Sequence, residues 1–146
     1  MPYTTVAKPM TCTNNTPSHK KRRRGTVIVE LPDGILLTRM RRDHYLLPGG
    51  QAEKNEPRIM TAIRELKEET GLIAEEVRYL FDFESRYYRH KVFYIRASGI
   101  PVPSHEIDTL AYYQADMPDL ADSSKRIIDK YISGGYKGKM RISHSP

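Results

Sequence analysis

The sequence is poor in cysteine, lacks tryptophan and contains no long apolar run. Its 146 residues hold one cysteine, Cys12, and no Trp. A lone cysteine cannot close an internal disulfide, which excludes the disulfide-stapled secreted domains and favours a reducing cytoplasm. No segment approaches the roughly 20 apolar residues that a membrane-spanning helix needs. The first 24 residues also lack the apolar stretch of a secretory signal. We therefore expect a cytoplasmic protein without a membrane partner.

Acidic residues are missing from both ends of the chain. The net charge is +6, but residues 1–24 hold six Lys and Arg and no acid, and residues 134–146 add three more cations. The body, residues 25–133, therefore carries three more acids than Lys and Arg. An acidic body argues against a dedicated nucleic-acid-binding surface, which normally has a basic face. The run KKRRR at 20–24 is interpreted as a solvated flank of the first strand. A polyanion-binding arm or a nuclear signal are the alternatives.

The chain has the length of one domain with a single core. Its 38% hydrophobic content is below the usual globular share, which agrees with segments that lie outside that core. The composition predicts a disordered basic arm over residues 1–24, a folded domain over 25–133 and a flexible tail over 134–146.

Local patterns predict the main elements. Two β-rich runs flank Pro32-Asp33-Gly34 and predict a hairpin. Gly49 and Gly50 end a short apolar run and indicate a bend where the backbone approaches something closely. The remaining predictions are strands in VRYLFDFES and KVFYIRASG joined through residues 86–90, a short strand over 111–114, and a final helix that begins near 119–124 and ends at Gly134. The apolar residues of that segment are Leu120, Ile127, Ile128 and Tyr131.

A central helix follows the Gly-Gly bend. Pro57 suits its first turn, with Asn55 or Glu56 as the cap, and Gly71 is a natural C-terminal stop. Its predicted buried stripe consists of Ile59, Ala62, Ile63, Leu66 and Thr70.

Three glutamates share one side of this helix, outside the buried stripe. Glu65, Glu68 and Glu69 repel one another there, near a helix C-terminus where the dipole disfavours anions. A cation would reverse both effects. Clustered carboxylates favour Mg²⁺, Mn²⁺ or Ca²⁺, and Mg²⁺ commonly bridges a few carboxylates to substrate phosphates. The alternative is a solvated acidic face partly paired with Arg64 and Lys67.

The spacing around these glutamates resembles the Nudix box, GX5EX7REUXEEXGU. The matching residues are Gly50, Glu56, Arg64-Glu65-Leu66, Glu68-Glu69 and Gly71-Leu72, preceded by Leu47-Pro48-Gly49. The resemblance to the Nudix (MutT-like) hydrolases covers roughly residues 24–133. It implies an α/β fold in which a mixed β-sheet is sandwiched between helices (α/β/α). It also implies hydrolysis of a nucleoside diphosphate linked to another moiety, with Mg²⁺ or Mn²⁺.

The resemblance assigns roles residue by residue. Glu65, Glu68 and Glu69 would bind the metal together with the carbonyl of Gly49. Arg64 and Glu56 would hold the loop and orient the carboxylates, while Gly50 and Gly71 would be structural. The base would be a box glutamate or Glu106 in a downstream loop, with Asp108 in reserve. The catalytic set is thus Arg64, Glu68, Glu69 and Glu106.

Substrate contacts are predicted from cations and aromatic rings near the box. Tyr45 stands where many relatives have Trp, and Arg39, Arg41, Arg86 and Tyr88 offer charge or aromatic planes. Nucleoside triphosphates are the favoured substrates. ADP-ribose, dinucleoside polyphosphates and RNA 5′ ends are alternatives. A different class of function, a binding module that holds RNA through the basic arm, also stays open, as does a homodimer.

Overall fold

The computed structural model describes residues 20–136. Seven strands and two helices are formed in this range. In chain order they are β1 (Arg22–Ile28), β2 (Glu30–Leu31), β3 (Gly34–Arg39), β4 (Gly49–Gln51), α1 (Arg58–Thr70), β5 (Ile73–Glu84), β6 (Tyr88–Ser98), β7 (Thr109–Tyr112) and α2 (Asp122–Ser133). None of the helices in the described range is long and apolar enough to cross a membrane.

The strands form two sheets. The larger sheet is mixed and has the order β4-β1-β6-β5, in which β1 runs parallel to β6 and antiparallel to β4. The smaller sheet, β2-β3-β7, is antiparallel. Only Val29 separates β1 from β2, so one continuous run of chain passes from the first sheet into the second.

Alternating side chains of β1 and of the adjoining Val29 face two different helices. Val27 and Val29 pack in one cluster with Ala62 and Leu66 of α1. Ile28 belongs to a second cluster on the opposite face, which includes Ile127, Ile128 and Tyr131 of α2. Successive strand residues point to opposite faces, so the sheets are covered on both sides. The predicted α/β/α sandwich is confirmed.

The hairpin at Pro32 forms but is shorter than its sequence suggests. Leu31 pairs with Gly34, and Gly34 adopts φ +129°, which glycine tolerates. The preceding residues, Gly25 to Ile28, pair instead with β6, and in part with β4. The side chains of Thr26, Val27 and Ile28 are completely or almost completely buried between the two helical layers, and this burial outweighs continuation of the hairpin.

Helix α1 ends as predicted and begins differently. Gly71 closes it in the left-handed conformation, with φ 77°. Pro57 occupies the N-cap itself and no side chain caps the helix, so the predicted cap by Asn55 or Glu56 is wrong. Ile59 is 40% exposed. It lies on the same face as the buried Leu66, but in the first turn of the helix.

The limits of the predicted arm, turn and tail also need correction. Strand β1 already begins at Arg22, so the last residues of the predicted arm belong to the fold. The β5–β6 connection spans only residues 85–87, because Tyr88 and His90 pair with β1. At the other end, the ring of Tyr136 packs on Phe81 at 5.1 Å. The rest of the predicted arm and tail, residues 1–19 and 137–146, lies outside the described residues.

Candidate active site

Two glycines bring strand β4 into close contact with its neighbours. Gly49 and Gly50 pair with Thr26 and Gly25 of β1. A Cβ on Gly49 would overlap the carbonyl oxygen of Gly25, and one on Gly50 would overlap the carboxylate of Glu65. Gly49 also adopts φ +145°. The close approach that the Gly-Gly bend predicted is therefore to strand β1 and to the first of the box glutamates.

An ion pair fixes the segment before the helix to the helix itself. Arg64 donates to both oxygens of Glu56, from Nε at 2.8 Å and from Nη2 at 2.9 Å. Glu56 also accepts hydrogen bonds from the Thr61 hydroxyl and the Glu53 amide. The Arg64 hydrogen bonds lower the pKa of Glu56 to about 2, against a smaller opposing effect of burial. Glu56 is thus a permanently charged anchor for Arg64.

The remaining nitrogen of the same guanidinium reaches two box glutamates. Arg64 Nη1 lies 3.2 Å from Glu65 and 3.3 Å from Glu68. One cation thus contacts three carboxylates. This arrangement agrees with the predicted orienting role of Arg64.

Glu69 lies in a half-buried, electrostatically unfavourable position. Burial first, and then the charge of Glu65, raise the pKa of Glu69 to about 8. The amide of Gly49, at 3.3 Å from Glu69 Oε1, and the Arg24 guanidinium oppose this rise. Burial also raises the pKa of Glu65, and the two carboxyl groups hydrogen-bond each other. The site therefore disfavours negative charge on both carboxyl groups at once unless positive charge is added.

The box glutamates do not form a metal cage as their side chains stand. Within residues 20–136, no group of three His, Cys, Asp or Glu side chains converges in a way that could hold a metal ion. Glu68 turns toward Arg64, while Glu65 and Glu69 contact each other. The three predicted ligands therefore lie at one site, where their carboxylates contact Arg64 or one another.

Arg24 is a site residue that the sequence did not reveal. Its guanidinium donates to the Leu47 carbonyl at 3.2 Å and to the Thr26 hydroxyl at 3.3 Å, and it lies 5.7 Å from the centre of the Tyr88 ring. Burial lowers the pKa of Arg24, and the nearby charges of Glu69 and Glu65 oppose the shift. The KKRRR run by itself predicts a solvated flank at this position, which is wrong for Arg24. Only its alternation with Thr26 along β1 hinted that it faces inward.

A cleft opens beside Glu69. A cavity of about 70 Å³ is lined by Arg24, Gly49 and Glu69, among others, and reaches Met40 and Asp43. Met40 and Asp43 also line a wide cavity of about 1330 Å³, whose other walls are Arg41, Arg42, His105, Glu106 and Asp108. The cleft therefore leads from the box to the predicted downstream carboxylates.

Backbone hydrogen bonds attach the Glu106 loop to the end of α1. The amide of Ser104 donates to the Glu69 carbonyl at 3.0 Å, and the amide of Val102 donates to Thr70 at 2.9 Å. His105, directly before Glu106, adopts the left-handed conformation with φ 57°. Arg41 across the same cavity does so with φ 43°. Such strained conformations concentrate at functional sites.

The five predicted substrate residues fall into two groups. Arg41 lines the wide cavity, whereas Arg39 and Tyr45 line neither of the two cleft cavities. Their side chains contact each other, with the Arg39 guanidinium 4.7 Å from the centre of the Tyr45 ring. The Nε of Arg39 is buried and has no hydrogen-bond partner among the described residues. Arg86 and Tyr88 line a separate groove at the β5–β6 turn. Tyr88 lies between this groove and the small cavity at Glu69, because Arg24, which lines that cavity, lies over the Tyr88 ring.

Comparison with known families and structures gives a consistent result. The family model described as "NUDIX domain" matches residues 20–131. A solved structure described as a Nudix hydrolase family member from Chromobacterium violaceum is 41% identical, covers 80% of this chain and 79% of that one, and has a TM-score of 0.74. The comparison with curated proteins found no match.

More distant structures share the fold. A MutT Nudix hydrolase from Burkholderia pseudomallei is 21% identical, with coverage of 75% and 97% and a TM-score of 0.65. An ADP-ribose pyrophosphatase from Streptococcus suis is 19% identical, with coverage of 72% and 83% and a TM-score of 0.58. At these identities the likeness concerns the fold alone.

Proposed function

The chain belongs to the Nudix hydrolase family, whose members act on pyrophosphate bonds, and we propose that it hydrolyses nucleoside triphosphates with a bound Mg²⁺ or Mn²⁺. The observation that carries the proposal is the pair Glu65 and Glu69, which lie half-buried against Gly50 and Gly49 and whose pKa values are raised despite the nearby Arg64 and Arg24. A single domain with one cysteine also supports a cytoplasmic location.

The donor set fits a hard divalent cation. Carboxylates and a backbone carbonyl are the ligands such ions prefer, and Glu65, Glu68, Glu69 and the Gly49 carbonyl would supply them. The raised pKa values of Glu65 and Glu69 also fit, because added positive charge favours their ionised forms. When bound, the ion neutralises phosphate oxygens and lowers the pKa of a coordinated water.

The protein's own groups position the reactants and move the proton. Arg64, anchored by Glu56, holds Glu65 and Glu68 in place. A carboxylate accepts the proton of the attacking water. Glu69 or Glu68 is one candidate for this base. Glu106, on the loop tied to the Glu69 carbonyl through Ser104, is the other.

Arginines of the cleft support a triphosphate as the favoured substrate. Arg41 and Arg42 line the wide cavity, and Arg39 has a buried Nε that lacks a partner among residues 20–136. Such guanidinium groups suit phosphate oxygens. Tyr45, held under Arg39, offers part of a ring to a base. ADP-ribose and dinucleoside polyphosphates have the same anhydride and stay as alternative substrates.

The test is a panel of diphosphate-containing compounds with Mg²⁺, with products identified by chromatography. We expect nucleoside triphosphates to have the highest kcat/KM. Glu69→Gln removes a ligand charge while keeping the shape, and turnover should fall more than tenfold with folding intact. Glu75→Gln, an exposed glutamate on β5, is the matched control. Wild-type turnover by Glu69→Gln would refute the metal assignment.

The same assay separates the two candidate bases. If Glu106 is the base, Glu106→Gln should lower kcat by at least about 100-fold, in the range typical of general-base catalysis, with little change in metal affinity. If the base lies in the box, Glu106→Gln should keep most of its turnover.

A further inference from the structure

A groove lined by cations and tyrosines lies at the turn between β5 and β6. We call it the basic groove and define it by Lys20, Lys21, Arg22, Arg86, Tyr87 and Tyr88. Its cavity of about 380 Å³ has four cations and no acid in its lining. An adjoining cavity of about 510 Å³ shares Lys21 and residues 86–88 with it and extends to the start of α2.

Strand pairing explains how these residues come together. Arg22 pairs with Tyr88 across the parallel β1–β6 ladder, and the Arg22 amide donates to the Tyr87 carbonyl at 3.0 Å. The KKRRR run, which is local in the sequence, is thereby placed beside the aromatic residues of the turn. The mildly acidic body of the domain thus carries one basic surface.

Several cations of the groove keep their charge available. Among the described residues, Lys20, Arg22 and Arg86 have no ion-pair partner. The acids at the border are engaged: Glu84 pairs with Lys21 at 3.1 Å, and Asp122 pairs with Arg126 at 3.1 Å. The groove therefore has net positive charge on its floor.

Aromatic rings lie next to this charge. Tyr87 is 64% exposed, an unusual position for a large ring, and the Arg86 guanidinium lies 5.3 Å from its centre. A cationic groove with exposed aromatic rings is the combination that binds single-stranded nucleic acid. Phosphates contact the cations and bases stack on the rings.

The basic groove adjoins the active site. Tyr88 lines the groove, and Arg24 lies over its ring while also lining the small cavity at Gly49 and Glu69. A strand whose 5′ end lies at the box glutamates can thus continue past Tyr88 toward Tyr87.

We propose that the basic groove binds a single-stranded oligonucleotide, so that 5′-diphosphorylated and 5′-triphosphorylated ends are substrates alongside free nucleotides. This proposal rests on the proposed function for its chemistry. In that reaction a water oxygen bonds to phosphorus and the anhydride P–O bond breaks. The water proton passes to a carboxylate and the released phosphate retains the electron pair.

Binding is tested first, without any chemistry. The probe is a 10-nucleotide single-stranded RNA with a 5′-hydroxyl end and a 3′ fluorophore, titrated with the full chain in EDTA and followed by fluorescence anisotropy. Because Tyr87→Ala removes the ring on which one base would stack, we expect the affinity to fall about tenfold. Tyr79→Ala, which removes another exposed tyrosine elsewhere on β5, should bind as the wild type does.

Salt dependence tests the charged part of the groove. Each lost phosphate contact should reduce the slope of log K against log salt by about 0.7 for a single strand. We expect that change for Arg86→Gln and not for Lys67→Gln, an exposed lysine on α1. An equal effect of the two substitutions would overturn the proposal, as would equal affinity for a duplex of the same sequence. Displacement by inorganic polyphosphate with no effect of Tyr87→Ala would assign the groove to phosphate chains and also overturn it.

Turnover separates this proposal from the proposed function. In Tyr87→Ala, kcat/KM for a 5′-triphosphorylated 10-mer should fall relative to kcat/KM for a nucleoside triphosphate. An unchanged ratio would overturn the oligonucleotide proposal and leave the proposed function standing. RNA binding without hydrolysis of any substrate would refute the proposed function instead.

Discussion

Removal of Arg64 should destabilise the fold by a calculable amount. Its guanidinium supplies two of the four hydrogen bonds that the Glu56 carboxylate accepts from the described residues, at 2.8 and 2.9 Å. The Glu56 side chain is only 15% exposed, so water can replace little of what is lost. Breaking a buried ion pair by removing one partner costs about 3–5 kcal/mol. Because Arg64 itself is 27% exposed, we expect about 2–3 kcal/mol for Arg64→Met.

A second substitution separates charge from geometry. Arg64→Lys keeps the charge but loses the planar fork that contacts both oxygens of Glu56, and we expect a loss of about 1–2 kcal/mol. The measurement is urea unfolding followed by circular dichroism at pH 7.5 with EDTA. The chelator keeps metal binding from contributing to the measured free energy.

A double-mutant cycle isolates the Glu56 contact, because Arg64 also contacts Glu65 and Glu68. Arg64→Met combined with Glu56→Gln should be less destabilising than the sum of the single changes by at least about 1 kcal/mol. The refuting results are a loss below about 0.5 kcal/mol for Arg64→Met, or a coupling energy near zero.

The pH dependence gives an independent check. Arg64 holds the pKa of Glu56 at about 2, below its ordinary 4.5, so the unfolded state binds the proton first as pH falls. The stability from this pair is therefore fully present above about pH 4.5 and is lost as pH falls toward 2. Arg64→Met should lack this acid-dependent loss.

Two further predictions concern His90 and the glycines. Burial, and then the charge of Arg24, lower the pKa of His90 from 6.5 to about 4. As the pH falls, the unfolded state therefore binds the proton of this histidine before the folded state does. The free energy of unfolding should thus decrease between pH 6.5 and pH 4. Between pH 7.5 and pH 5 the free energy of unfolding should fall by about 2 kcal/mol more in the wild type than in His90→Asn. The same pH dependence in both proteins would contradict this explanation. Gly50→Ala should displace the Glu65 carboxylate and lower turnover at least tenfold, with an overpacking cost of about 1–3 kcal/mol. A Cβ added at Gly71 has no neighbour within 4 Å, so Gly71→Ala should lower the stability by only about 1 kcal/mol, for its left-handed backbone. A larger loss of stability for Gly71→Ala than for Gly50→Ala would count against the steric explanation.

Features that depend on local geometry could be predicted from the sequence alone. Residues three and four apart on a helix are neighbours, so the spacing of Glu65, Glu68 and Glu69 was enough to place them together beside Arg64. Pro32 with Gly34 specified the short hairpin, and Gly71 specified the helix end, because their backbone preferences act on the residues next to them. The box itself predicted the family and the α/β/α architecture, both of which are confirmed.

Tertiary structure decided everything that joins distant parts of the chain. The position of Arg24 beside Glu69 depends on the pairing of β1 with β4, which no local pattern of RRRG reveals. The Glu106 loop reaches the box through hydrogen bonds from Ser104 and Val102 to the last turn of α1, and the basic groove forms because Arg22 pairs with Tyr88. Such contacts arise from burial shared between segments that lie tens of residues apart. Side-chain periodicity tells which face of a strand is buried, but it does not tell which partner covers that face.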